Sequence, residues 1–84
     1  MKPHDKDVIT ALVRRDEINT RVHLENGQVL LVNNITYGYD DDDDYAHITA
    51  NISPETGDPI EFFYSNEIVK IIDPEDERIL FERN

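Results

Sequence analysis

The chain has 84 residues, no cysteine and a formal net charge of -11, from 19 acidic against 8 basic residues. That length bounds it to one small domain, and the missing cysteines exclude disulfides and thiolate zinc sites as staples. No apolar run approaches the roughly 18 residues a membrane span needs, and the acidic field disfavours nucleic acid and anionic membranes.

Met1 to Asp7 leads into too short an apolar stretch for a secretory signal, so a soluble, cytoplasmic protein is expected. Residues 1–6 are taken as a flexible start. Asp5 or Asp7 can cap a short helix whose stripe is Val8, Ile9, Leu12 and Val13. Arg14 and Arg15 fall in its last turn, where cations suit the helix dipole, and Asp16-Glu17 close it.

Ile18 to Glu25 alternates, with Ile18, Thr20, Val22 and Leu24 on one face, as in a half-buried strand. Asn26-Gly27 is a strong hairpin signal, and Gln28 to Thr36 continues as the second strand. Val29 to Val32 is apolar throughout, which predicts cover on both faces, by the helix or by another subunit.

Tyr37-Gly38-Tyr39 leads into five consecutive aspartates, Asp40 to Asp44, and then Tyr45. Contiguous like charges disfavour regular structure, so 40–44 is an acidic loop. Tyr45 to Ile52 alternates again, with Ala46, Ile48, Ala50 and Ile52 inward. Ser53 to Asp58 is a turn by composition.

Pro59 to Tyr64 is the fourth strand, with Ile60, Phe62 and Tyr64 on one face and Phe63 on the other. Ser65-Asn66 turns the chain into a fifth strand, Glu67 to Ile72. Residues 73–84 are a tail packed on the sheet, in which Arg78 to Glu82 forms a last short strand or a docked segment. The expected fold is mainly β: a strongly bent five-stranded antiparallel barrel with a short N-terminal helix.

This layout resembles the small SH3-like and Sm-like barrels over Asp7 to Asp73. Val22-His23-Leu24-Glu25-Asn26-Gly27 is similar to the first Sm strand and its glycine turn. Phe63 to Ile72 (FYSNEIVKII) is similar to the second Sm motif. The family's arginine-glycine pair falls on Tyr64-Ser65, and its aromatic-aspartate step matches Tyr39-Asp40 only in a shifted register. The resemblance therefore implies the architecture without the residues that grip a uridine and its phosphate.

The candidate site is the acidic loop with its tyrosines: Tyr37, Tyr39, Asp40, Asp41, Asp42, Asp43, Asp44 and Tyr45. Aromatic faces beside carboxylates suit a Lys- or Arg-bearing protein segment. A calcium loop needs alternating oxygen ligands and a glycine bend, which contiguous aspartates lack, so no metal is expected. His4, His23 and His47 show no converging spacing, and no cofactor is expected. Ser53 and Ser65 have no glycine-rich elbow or nearby histidine, so no enzyme is expected either.

The basic residues are scattered, only Arg14-Arg15 being adjacent, and nucleic acid is not an expected partner. The resulting expectation is a non-enzymatic interaction module for a basic protein or peptide. An Sm-like RNA-binding oligomer and an acidic inhibitor that mimics nucleic acid are the alternatives. A homo-oligomer is open in either case.

Overall fold

The Asn26-Gly27 signal folds the chain back on itself, but through a three-residue loop. Gly27 N–H donates to the Leu24 carbonyl (3.0 Å), Leu24 N–H donates to the Gln28 carbonyl (2.9 Å), and Gly27 has φ +92°. This is a turn followed by a left-handed glycine, the form in which only Gly27 needs a positive φ. The Asn26 side chain closes the loop by accepting from Gln28 N–H at 2.9 Å. On either side lie β1 (Thr20–Leu24) and β2 (Val29–Val32), paired antiparallel from Thr20 opposite Val32 to His23 opposite Val29.

The structure is a computed structural model that describes residues 2–52 and 59–83; the turn expected at 53–58 lies outside the described residues. A 3₁₀ turn (Pro3–Asp5) runs into helix α1 (Lys6–Val13). The remaining strands are β3 (Ile35–Gly38), β4 (His47–Ala50), β5 (Glu61–Tyr64), β6 (Ile68–Asp73) and β7 (Arg78–Glu82), with a 3₁₀ turn (Ser65–Glu67) between β5 and β6. They form two antiparallel sheets, one ordered β2-β1-β6-β7 and the other β3-β4-β5. The protein is mainly β with a short N-terminal helix, as expected, but the described residues form seven strands rather than five.

Two local events account for the difference. The expected strand over 28–36 breaks at Asn33-Asn34, so its halves belong to different sheets. Asn51 fastens the break: its Oδ1 accepts from Asn33 N–H (2.9 Å), and its Nδ2 donates to the carbonyls of Leu31 (3.0 Å) and Pro59 (3.1 Å). Asn34 adds a bond from Ile52 N–H to its Oδ1 at 2.9 Å. These amides satisfy backbone groups that leave the ladder at the corner. The second event is that residues 78–82 take the strand alternative, pairing with β6 from Asp73 opposite Arg78 to Lys70 opposite Glu82.

The core lies between the two sheets and α1. It comprises Val8, Ile9 and Leu12 of the helix with Val22, Leu24, Val32, Ala46, Ile48, Ala50, Phe63, Ile68 and Ile71. Three apolar side chains expected to face inward do not. Val13 is the last residue of α1, Ile18 and Ile52 lie beyond the ends of β1 and β4, and all three are about half exposed. In β5 Phe63 faces the core, paired with Ile48, so Phe62 points outward at 61% exposure.

The double cover expected for Val29 to Val32 is also absent among the described residues. Val29 and Leu31 are exposed because α1 lies at β7, at the other end of that sheet. In the segment expected to be a flexible start, Asp5 is buried at 1% exposure. It occupies the N-cap position of α1 without capping it, since its side chain turns into the protein. No described helix is long and apolar enough to cross a membrane.

Candidate functional site

The acidic loop joins β3 to β4, and the N-terminal segment holds it down. Tyr39 donates its hydroxyl to Asp5 Oδ2 (2.5 Å) and accepts from Lys2 N–H (3.0 Å). The Lys2 ammonium lies 5.4 Å from the Tyr39 ring centre and donates to the Asp43 carbonyl. His4 is hydrogen-bonded to the Asp44 carbonyl, with its ring 4.6 Å from that of Tyr45. Burial, and then the hydrogen bond to the Asp5 carboxylate, push the Tyr39 phenol above its ordinary range.

Within the loop, Asp40 to Asp43 forms a closed turn. Asp43 N–H donates to the Asp40 carbonyl and Asp40 N–H donates to Asp43 Oδ2, each at 3.0 Å. That backbone bond, with smaller help from His47 and Lys2, holds the Asp43 carboxyl below its ordinary range. Asp41, Asp42 and Asp44 are exposed, and their carboxylates have no partner among the described residues. Tyr37 and Tyr45 stand at the rim, 39% and 37% exposed.

The eight candidate residues thus divide by role. Tyr39 and Asp43 are engaged in holding the loop. Tyr37 stands on β3 opposite Ile48, and the Tyr45 ring packs at a tilt against that of His4. The free anionic surface is Asp41, Asp42 and Asp44, with Asp40 beside them.

Compared with protein-family models, curated proteins and solved structures, the chain has no match.

Side chains outside the loop complete the surface. The outer face of the three-stranded sheet carries His47, Phe62 and Tyr64. His47 is stacked on Phe62 at 6.1 Å, and Phe62 meets Tyr64 edge-on at 5.6 Å. Gly38 makes room for the imidazole, since a Cβ there would lie 3.2 Å from His47 Nε2. Ile60, 67% exposed, extends this apolar face. Sequence reasoning grouped Ile60, Phe62 and Tyr64 on one face but carried no sign that this face borders the aspartates.

His47 forms the junction between the two parts. Its Nδ1 lies 3.5 Å from Asp43 Oδ2 and 4.0 Å from Asp40 Oδ2. Asp40, Asp43 and His47 each place a ligand atom within 4.8 Å of the others, a convergence that their spacing did not suggest. With His47 protonated these are ion pairs. With it neutral, the same three groups present two oxygens and a nitrogen to one point. Asp41, Asp42 and Asp44 do not join them.

Proposed function

We propose that this protein is a non-enzymatic interaction module that binds a cationic peptide segment of another protein. The binding surface is the acidic loop together with the aromatic face of His47, Phe62 and Tyr64. We further propose that the two sheets are the halves of one small SH3-like barrel, with the chain over 28–36 bent between them at Asn33-Asn34.

One observation carries the reading. Unpaired carboxylates at Asp41 and Asp42 stand on a loop that is tied down at both ends, beside an exposed aromatic cluster. The aliphatic stems of Lys or Arg lie on aromatic rings while their charged ends reach carboxylates, so the two features suit one ligand. A restrained loop also loses little entropy on binding. The rival reading as an RNA-binding ring has less support. Ser65 is fully buried, and its hydroxyl donates to Asp5.

The test is binding of a fluorescent Lys/Arg-rich peptide by anisotropy at two salt concentrations. Asp41→Asn with Asp42→Asn is expected to weaken it about three- to tenfold and to flatten the salt dependence. Phe62→Ala should weaken it without flattening the salt dependence. Equal binding by all three proteins would remove the loop and the aromatic face as the site.

A further inference from the structure

The basic residues, scattered in the sequence, are not scattered in the fold. Lys6, Arg14, Arg15 and Arg78 line one groove of about 580 Å³ where α1 meets β7. They are half of the eight basic residues in the chain, whereas Asp7 is the only acidic residue bordering the groove among the described residues. The lining therefore carries four cations to one carboxylate in a chain whose net charge is -11.

The four cations are not equivalent. Arg15 and Arg78 share the Asp73 carboxylate at 3.1 and 3.8 Å, and Arg15 also donates to Thr20 and to the Asn19 carbonyl. Lys6 and Arg14 have no ion pair and no side-chain hydrogen bond among the described residues. With Thr10 they stand at i, i+4 and i+8, one stripe of the helix, about 12 Å apart along its axis. The helix dipole accounts for a cation at Arg14 near the C-terminus, but it disfavours one at Lys6 in the first turn.

Between the charges the groove is apolar, through Ala11, Leu80 and Phe81. Its volume is within the roughly 300–1,000 Å³ of small-molecule sites. Guanidinium groups match carboxylate and phosphate geometry, and the apolar floor suits an organic body between two such groups. The net charge of -11 acts against a long polyanion, whose many charges feel the whole field.

We propose that this groove binds a small organic dianion, with its anionic ends at Lys6 and Arg14 and its body on Ala11, Leu80 and Phe81. The site is distinct from the acidic loop and does not depend on it. Phosphate and carboxylate ligands share this chemistry, so the experiment uses one of each.

The ¹⁵N-labelled protein is titrated with hexane-1,6-diyl bis(methyl phosphate), with suberate and with inorganic phosphate while amide shifts are followed. One of the two dianions is expected to move signals of residues 6–15 and 78–81, with a dissociation constant of roughly 0.1–1 mM and phosphate at least about fivefold weaker. Which dianion binds assigns the end groups. Lys6→Gln with Arg14→Gln should reduce that affinity at least about fivefold, and Lys70→Gln, outside the groove, should leave it unchanged. Should the double variant fail to fold, each single substitution is read in the same way.

No shift up to about 10 mM of either dianion would overturn the proposal, as would equal affinity in the Lys6 and Arg14 variants. A Glu-rich peptide that binds there while both dianions fail would also overturn it, making the groove a protein-docking surface.

Discussion

Ser65 and Asp5, 60 residues apart, are joined by a buried hydrogen bond from the serine hydroxyl to the aspartate carboxylate. Tyr39 and the Ala46 N–H donate to the other carboxylate oxygen, Ala46 at 3.0 Å. One side chain therefore ties the helix entrance to both ends of the acidic loop and to the turn between β5 and β6. The proposed binding loop owes its position to a residue outside it.

Removing that acceptor should be costly, and the choice of substitution tells why. Asp5→Ala leaves an N–H and two hydroxyls without their acceptor and is expected to destabilise the fold by about 2–4 kcal/mol. Asp5→Asn can keep its oxygen towards Tyr39 and Ala46 and offer its amide to Ser65, so it should cost about 1 kcal/mol. Urea unfolding measures both. Equal losses would mean that the charge matters and the bonding pattern does not.

The same carboxylate sets the response to acid. Burial pushes its pKa up, but the bonds from Ser65, Tyr39 and Ala46 together outweigh this and hold it below the ordinary value. A depressed carboxyl stabilises the fold above its unfolded pKa and loses that contribution as pH falls through the folded value. Asp43, Asp73 and Glu77 are shifted in the same direction, chiefly by hydrogen bonds from Asp40 N–H, Glu75 N–H and Arg21 respectively. Tyr39 is shifted upward, so its contribution is present below about pH 10 and lost above it. Melting temperature should plateau between about pH 5 and 9 and fall on both sides, with a shallower acid limb in Asp5→Asn. An unchanged acid limb in that variant would remove Asp5 from the account.

Adjacent phenylalanines in β5 should behave oppositely. Phe63→Ala removes a ring 2% exposed and is expected to lower stability by about 3–5 kcal/mol. Phe62→Ala removes a ring 61% exposed and should stay within about 1 kcal/mol. Chemical denaturation of the two variants side by side reads the difference, and a reversed order would mean that β5 faces the other way.

At the corner between the sheets, Asn51 is buried and has φ +62°. Asn51→Ala should lose about 2–4 kcal/mol, from its hydrogen bonds and from an unfavourable left-handed backbone. Asn51→Gly loses the bonds but tolerates the angle, and should be about 1 kcal/mol more stable than the alanine variant. If the two are equal, strain at this position is negligible.

Much of the fold follows from local pattern. The alternation of Thr20, Val22 and Leu24, and of Ala46, Ile48 and Ala50, specifies strands because a two-residue period is read within one segment. Asn26-Gly27 specifies the reversal between β1 and β2 for the same reason. The acidic loop was legible too, since five adjacent carboxylates resist regular structure.

Other features depend on groups far away in the chain, and no local period encodes them. Phe62 and Phe63 are equally apolar, and pairing with Ile48 decides which is buried. Asn33-Asn34 becomes a corner because Asn51 receives the backbone there. Asp5 has the sequence position of a helix cap, but donors at Tyr39, Ala46 and Ser65 outbid the helix for its carboxylate. Arg78 joins Lys6 and Arg14 only because β7 pairs with β6 beside the helix. The sequence alone determined the helix, the acidic loop and the alternating strands, through short-range sterics and hydrophobic period. The tertiary structure alone decided which charged and aromatic groups meet, because such groups are matched by partners in space.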